Sequence, residues 1–192
     1  MAARPKAAPT RRSLLEWCLV LAVAVGLALL IKTFALEAFY IPSASMQPTL
    51  RPGDRVLVNK LSYDLHPVHE GDVVVFRRPP TDTGGSKDDL IKRVIGLPGE
   101  HIYVDHCRVY INGRQLAQPY LPAGWQSPSS PYCTTWPGVL PNPYLVPKGD
   151  YFVMGDNRQD SYDSRYWGPL PANYIVGRAF VRLWPLGRLG LL

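Results

Sequence analysis

Residues 17–31, WCLVLAVAVGLALLI, form an uncharged apolar run of fifteen broken by a single glycine. No other feature narrows the fold as much, because such a run either crosses a bilayer or disappears into a core. With Leu14, Leu15 and residues 33–36 it extends to about 23 residues, against the roughly 20 residues of helix that a bilayer core requires. Glu16 and Lys32 sit near its ends, where long side chains reach the interface. Arg4, Lys6, Arg11 and Arg12 precede it, and the first thirteen residues hold no acid. That asymmetry predicts a cytoplasmic basic tail over 1–13, one transmembrane helix over 14–36 and an extracytoplasmic domain over 37–192. A cleaved signal peptide, with its basic start and short apolar stretch, is the alternative.

The same tail removes a nucleic-acid reading. The chain carries 21 basic and 15 acidic side chains, a formal net charge of +6. Without the four tail residues 17 basic side chains face 15 acidic ones, so the remainder is nearly balanced. The basicity is an N-terminal device, and no nucleic-acid partner is expected. Twenty prolines in 192 residues oppose a helical bundle, since proline interrupts helices.

Beyond the apolar run the pattern turns extended. Arg51-Pro52-Gly53-Asp54 reads as a turn into a strand over 55–59, and Glu70-Gly71-Asp72 as a turn into a strand over 73–76. Residues 79–89 read as a loop, and 90–95 as a strand that Leu97-Pro98-Gly99 ends. Strands over 101–104 and 107–111 follow, and Asn112-Gly113 is the strongest hairpin signal in the chain. Residues 117–147 hold eight prolines and no clean periodicity, which predicts an extended Pro-rich insertion rather than a core. Strands over 151–154 and 175–183 complete a mostly β fold.

Cys18 lies in the apolar run and behaves there as a small hydrophobe. Cys107 and Cys133 fall in the exterior part, where a bridge is open to them, although spacing alone does not fix whether their Cα atoms approach. No zinc-type spacing links the cysteines with His66, His69, His101 or His106, and Pro67 opposes a helical pair of histidine ligands. No metal site is expected.

Three clusters carry chemistry: Ile41-Pro42-Ser43-Ala44-Ser45-Met46-Gln47-Pro48-Thr49-Leu50, Ile91-Lys92-Arg93-Val94-Ile95-Gly96-Leu97-Pro98-Gly99, and Gly155-Asp156-Asn157-Arg158-Gln159-Asp160-Ser161-Tyr162-Asp163-Ser164-Arg165. Taken singly, they read as a loop, a solvated strand face and an Asx turn. A serine hydroxyl becomes a nucleophile only when a neighbouring base takes its proton. No Gly-x-Ser-x-Gly elbow is present and no histidine falls within the serine or aspartate clusters. Lys92 is the candidate base. On an alternating strand it shares a face with Leu90 and Val94, and apolar surroundings lower a lysine pKa. The other face is also largely apolar, so alternation permits burial of Lys92 without requiring it.

In this order, with Gly71-Asp72-Val73-Val74-Val75-Phe76 between the first two, the clusters resemble the signature boxes of type I signal peptidases, membrane-anchored Ser-Lys proteases of the bacterial envelope. The match covers residues 39–104 and 146–183. It implies Ser45 as nucleophile, Lys92 as general base, and an oxyanion hole made of the Ser43 hydroxyl and the Ser45 N–H. It implies that Ser161 orients the lysine, and that Asp156, Asp163 and Arg165 form a supporting ion-pair group. Gln159, Asp160 and Tyr162 depart from the usual pattern. The implied activity is removal of signal peptides from secretory preproteins after small residues of the Ala-x-Ala type, at the outer face of the cytoplasmic membrane. Membrane lipid and a translocation machinery would lie close by, and no cofactor is implied. Ser-Lys autoproteases of the SOS-repressor type share the dyad logic but would carry a DNA-binding domain in place of the apolar helix. A tethered β module that only binds peptides would lack Ser45 or Lys92, and both are present.

Overall fold

The computed structural model describes residues 11–84 and 89–192, with the side chains at 11–14, 28 and 30–34 outside that description. The chain divides into two compact units, 1–36 and 37–192. In the first, helix α1 runs Arg11–Phe34. Among the described residues, no helix is long and apolar enough to cross a membrane. The expected span over 14–36 therefore rests in part on side chains outside the description, and of the expected tail over 1–13 residues 1–10 lie outside it. Leu36, the last residue of that segment, opens a strand rather than ending the helix.

The second unit is mostly β. In chain order its strands are β1 (Leu36–Tyr40), β2 (Arg55–Asn59), β3 (Val73–Phe76), β4 (Leu90–Gly96), β5 (His101–Asp105) and β6 (Arg108–Ile111). They continue with β7 (Arg114–Gln115), β8 (Tyr144–Leu145), β9 (Asp150–Met154), β10 (Leu170–Pro171), β11 (Ile175–Trp184) and β12 (Gly190–Leu191). Two one-turn helices, α2 (Ser62–Leu65) and α3 (Ser164–Trp167), interrupt them. The larger sheet has the order β1-β2-β11-β3-β4-β9-β10, with β12 on β11, and the smaller has the order β7-β6-β5-β8.

The hairpin at Asn112-Gly113 joins β6 to β7, with both residues at positive φ. That is the backbone a two-residue hairpin turn requires, and it suits Asn-Gly. β3 shows how the core is divided. Val73 and Val75 point into a cluster with Ile41, Met46, Leu50, Val56 and Val58. Val74 and Phe76 point into another with Val94, Val153, Trp167 and Leu170. A strand buried on both faces reads as a continuous apolar run, as this one does.

The proline-rich segment over 117–147 is not merely extended. Leu121 and Val146 are buried, and Trp136, Leu140 and Tyr144 pack on a third cluster around Ile102, Val109 and Phe152. Proline removes ladder donors and so suppresses regular strands, but it leaves side chains free to pack, and periodicity does not register that. The Cys107–Cys133 bridge is made, with Cα atoms 4.8 Å apart, and it ties this segment to the start of β6.

Candidate active site

Ser45 lies in the loop between β1 and β2. The loop is closed at its base, where Ile41 N–H donates to Asp54 O and Gly53 N–H to Ile41 O, each at 2.9 Å. Met46 and Leu50 turn inward onto the core, which seats the loop beneath the serine. From the other side Asn157 N–H donates to Ser45 O at 3.0 Å and Asn157 Nδ2 to Ala44 O at 3.3 Å. A side chain at Gly155 would run into Ser45 O and Ser161 Oγ. Glycine there lets the 155–165 loop press against the serine loop.

Lys92 sits on β4, between β3 and β9. Both faces of this strand are inside, and the lysine is only 4% exposed. Its Nζ lies 2.7 Å from Ser45 Oγ and is hydrogen-bonded to it. The Ser45 and Ser43 hydroxyls share a further hydrogen bond at 3.3 Å, with Ser43 exposed and Ser45 nearly buried. Burial lowers the Lys92 pKa from 10.5 to about 8, against the opposing pull of Asp163, Asp82 and Asp156. Desolvation wins because an ammonium with no water has lost most of its stabilisation.

The supporting charges separate into two pairs rather than one group. Asp163 pairs with Arg165, through Nε to Oδ1 at 2.8 Å and Nη2 to Oδ2 at 2.9 Å. Burial alone would raise the pKa of this carboxyl, but Arg165 and the Gly155 N–H hold it below the ordinary range. Asp163 also caps α3 by accepting the Arg165 N–H. Asp156 pairs instead with Arg93, through Nε to Oδ1 at 2.8 Å and Nη2 to Oδ2 at 2.7 Å, and Thr49 Oγ1 donates to its Oδ2 at 2.5 Å. Ser161 Oγ is buried beside Asp163, whose ionised form it favours, and among the described residues it makes no hydrogen bond to Lys92.

Several of these partners carry no individual signal in the sequence. Arg93, read there as half of a solvated pair, is buried and lies under the Tyr120 ring, 3.8 Å from its centroid. Arg158 is 1% exposed. It donates to Gly155 O at 3.0 Å and Thr134 Oγ1 at 3.3 Å, and also to Gln118 Oε1. Arg165 Nη1 reaches Thr135 O at 3.2 Å. The proline-rich segment thus supplies acceptors to the arginines behind the serine loop.

Ser43, Ser45 and Lys92 open into a cleft of about 510 Å³, shared with Leu90, Asp160 and Tyr162. Two of the three residues that depart from the signature pattern therefore face the cleft, and Gln159 is turned away to donate to Cys133 O. Among the described residues, no group of three His, Cys, Asp or Glu side chains is arranged to hold a metal ion. Chemically, the cleft offers a hydroxyl, a desolvated amine in contact with it, and a second hydroxyl at its mouth.

A family model described as "Signal peptidase, peptidase S26" matches residues 14–184. A probable signal peptidase I-2 from Synechocystis is 44% identical, over 98% of this chain and 82% of that protein. Signal peptidase IB from Staphylococcus aureus is 35% identical, over 91% of this chain and 92% of that protein. A crystal structure of a signal peptidase I from Enterococcus faecalis is 31% identical, covering 59% of this chain and 97% of that chain, with a TM-score of 0.48.

Proposed function

The chain belongs to the peptidase S26 family of signal peptidases, as a serine endopeptidase of the signal peptidase I type, and on that premise we propose that Ser45 and Lys92 form its catalytic dyad. The observation that carries this reading is the 2.7 Å contact between Lys92 Nζ and Ser45 Oγ. With the amine neutral, the serine proton lies on that line.

Ser45 Oγ attacks the scissile carbonyl as its proton passes to Lys92, which then protonates the departing amine. The product is an acyl-enzyme, and Lys92 activates the water that releases it. The oxyanion is held by Ser43 Oγ and the Ser45 N–H, donors fixed before charge develops. Asp163–Arg165, Arg93–Asp156 and Asn157 hold the serine loop against β4. Ser161 is the residue the family pattern assigns to orienting Lys92, and the burial of its side chain in the same loop supports that role.

The substrates are preproteins carrying signal peptides, cut after small residues of the Ala-x-Ala type. Residues 14–36 are the membrane anchor, with the 1–13 tail in the cytoplasm, the 37–192 domain outside, and lipid and the translocation machinery nearby. The charge asymmetry and the uncharged run over 17–31 support this. Protease added outside the cytoplasmic membrane should reach residues 37–192, and digestion only from the cytoplasmic side contradicts that topology. Incubating the full chain with such a preprotein tests the dyad. Wild type should cleave it, and Ser45→Ala should stay folded and inactive. Cleavage by Ser45→Ala at the wild-type rate overturns the nucleophile assignment.

A further inference from the structure

The wall of the cleft facing the dyad is built from a segment that the mechanism does not use. Arg78 and Asp82 both line it. Asp82 is buried, and each of its oxygens has a donor. It accepts Arg78 Nη1 at 2.6 Å on Oδ2 and its neighbour Gly84 N–H at 2.9 Å on Oδ1. A side chain at Gly84 would meet both the Arg78 guanidinium and the Asp82 carboxylate. The aspartate and the glycine therefore pin the arginine in one place.

Arg78 itself is far from satisfied. A guanidinium carries five N–H donors in a planar fork. Among the described residues, the hydrogen bonds of this one run from Nη1 to Asp82 alone. Nε is buried with no partner, and the side chain keeps 18% of its surface open at the cleft. Underused donors at a pocket wall are costly until an acceptor arrives. The other arginines around the site, Arg93, Arg158 and Arg165, have their forks filled by this chain.

We propose that Arg78, pinned by Asp82, is a substrate-contacting residue that donates from its free guanidinium edge to a backbone carbonyl of the peptide lying in the cleft. The charge arrangement selects this acceptor over a carboxylate. Arg78 and Asp82 neutralise one another, and Asp160 adds a negative charge to the same cleft. An acidic side chain would gain little net attraction there, whereas a neutral carbonyl needs only a donor. Recognition through the backbone also tolerates the varied sequences around a signal-peptide cleavage site. The proposal rests on the signal peptidase reading above, and it concerns binding rather than proton transfer.

The test separates the two. An uncleaved peptide spanning a preprotein cleavage site is titrated onto full-length Ser45→Ala protein in detergent, with and without Arg78→Gln/Asp82→Asn. The paired change keeps the wall without net charge, and because Asp82 favours a charged Lys92 its removal should move the acid limb to lower pH rather than higher. Loss of one hydrogen bond to a neutral acceptor should weaken binding about five- to tenfold. In the protein with Ser45 intact the same pair should raise KM by a like factor. Arg78→Lys, which keeps the ion pair but not the planar fork, guards against misfolding of the double variant and should weaken binding to an intermediate degree. Replacing acidic peptide side chains by amides should change nothing. Unaltered peptide affinity in both variants overturns the proposal, and so does a loss confined to kcat with KM unchanged. A drop in affinity that vanishes when one acidic peptide side chain is amidated assigns the contact to that side chain and also overturns it. Peptide binding that depends on Arg78 in a protein that cleaves no preprotein removes the signal peptidase reading and leaves this contact standing.

Discussion

Replacing Lys92 by methionine should abolish turnover and, at neutral pH, stabilise the fold. Methionine keeps the length and much of the volume of the lysine stem, so repacking is slight. Ser45 Oγ keeps its contact with Ser43 and is not left stranded. In the folded protein Lys92 titrates near 8 instead of 10.5, a gap equivalent to about 3 kcal/mol in favour of the neutral amine. The unfolded chain titrates at the ordinary value, so between those two pH values it binds more protons than the native state, and stability rises with pH. Below pH 8 the whole penalty is present, and above 10.5 it is gone. The methionine variant never carries it. Its advantage over wild type is therefore largest near pH 7 and shrinks by about 2 kcal/mol by about pH 9.5. Urea unfolding of both full-length proteins in detergent at the two pH values measures this, and the other titrating groups cancel in the difference. A stability difference that stays constant over the interval refutes a desolvated lysine, whatever the variant does to activity.

Two further outcomes concern the chemistry. Activity should rise with pH along an acid limb near 8 as Lys92 deprotonates. Lys92→Arg should be inactive at every pH, because a guanidinium does not give up its proton. A limb near the ordinary histidine value of about 6.5, lost on one His→Ala change in a folded protein, contradicts a lysine base. Ser43→Ala should lower kcat by about 10²–10³ and leave KM nearly unchanged, as expected for a donor that acts on the oxyanion. An effect seen only in KM contradicts that role.

The legible parts of the fold were those written in local periodicity. Strands β2 and β3 fall on residues 55–59 and 73–76 because short β-branched runs there are bounded by glycine turns. The Asn-Gly hairpin is legible for the same reason: one positive-φ turn decides it. The dyad residues were legible only because three clusters occur together in order. What escaped is non-local. Arg93 finds Asp156 across 63 positions, and Arg158 finds Gln118 across 40. Nothing in the spacing of either arginine distinguishes a buried guanidinium with a remote partner from a solvated one. The proline-rich segment escaped for a related reason. It packs through single residues such as Leu121 and Val146 rather than through a repeating face.

The separation of the supporting charges into two pairs resolves a conflict in the site. The 155–165 loop needs Asp163, which accepts the Gly155 N–H and caps α3. It needs Asp156 as well, which ties Thr49 and Arg93 to the same loop. Yet each of these carboxylates, like Asp82 in the cleft wall, favours a charged Lys92 and so opposes its use as a base. Left unpaired, such buried anions would draw the lysine's pKa back up toward its ordinary value. Each one is matched by an arginine: Arg165 on Asp163, Arg93 on Asp156 and Arg78 on Asp82. Of these arginines Arg165 also opposes the pull of the carboxylates on the lysine, and desolvation outweighs what remains of that pull. Removing one partner of such a pair costs about 3–5 kcal/mol and leaves a bare charge, which here would also reach the base. Arg165 therefore does more than hold a loop in shape, since it offsets part of the pull by which the loop's own carboxylates favour a charged Lys92, the residue proposed to accept the serine proton.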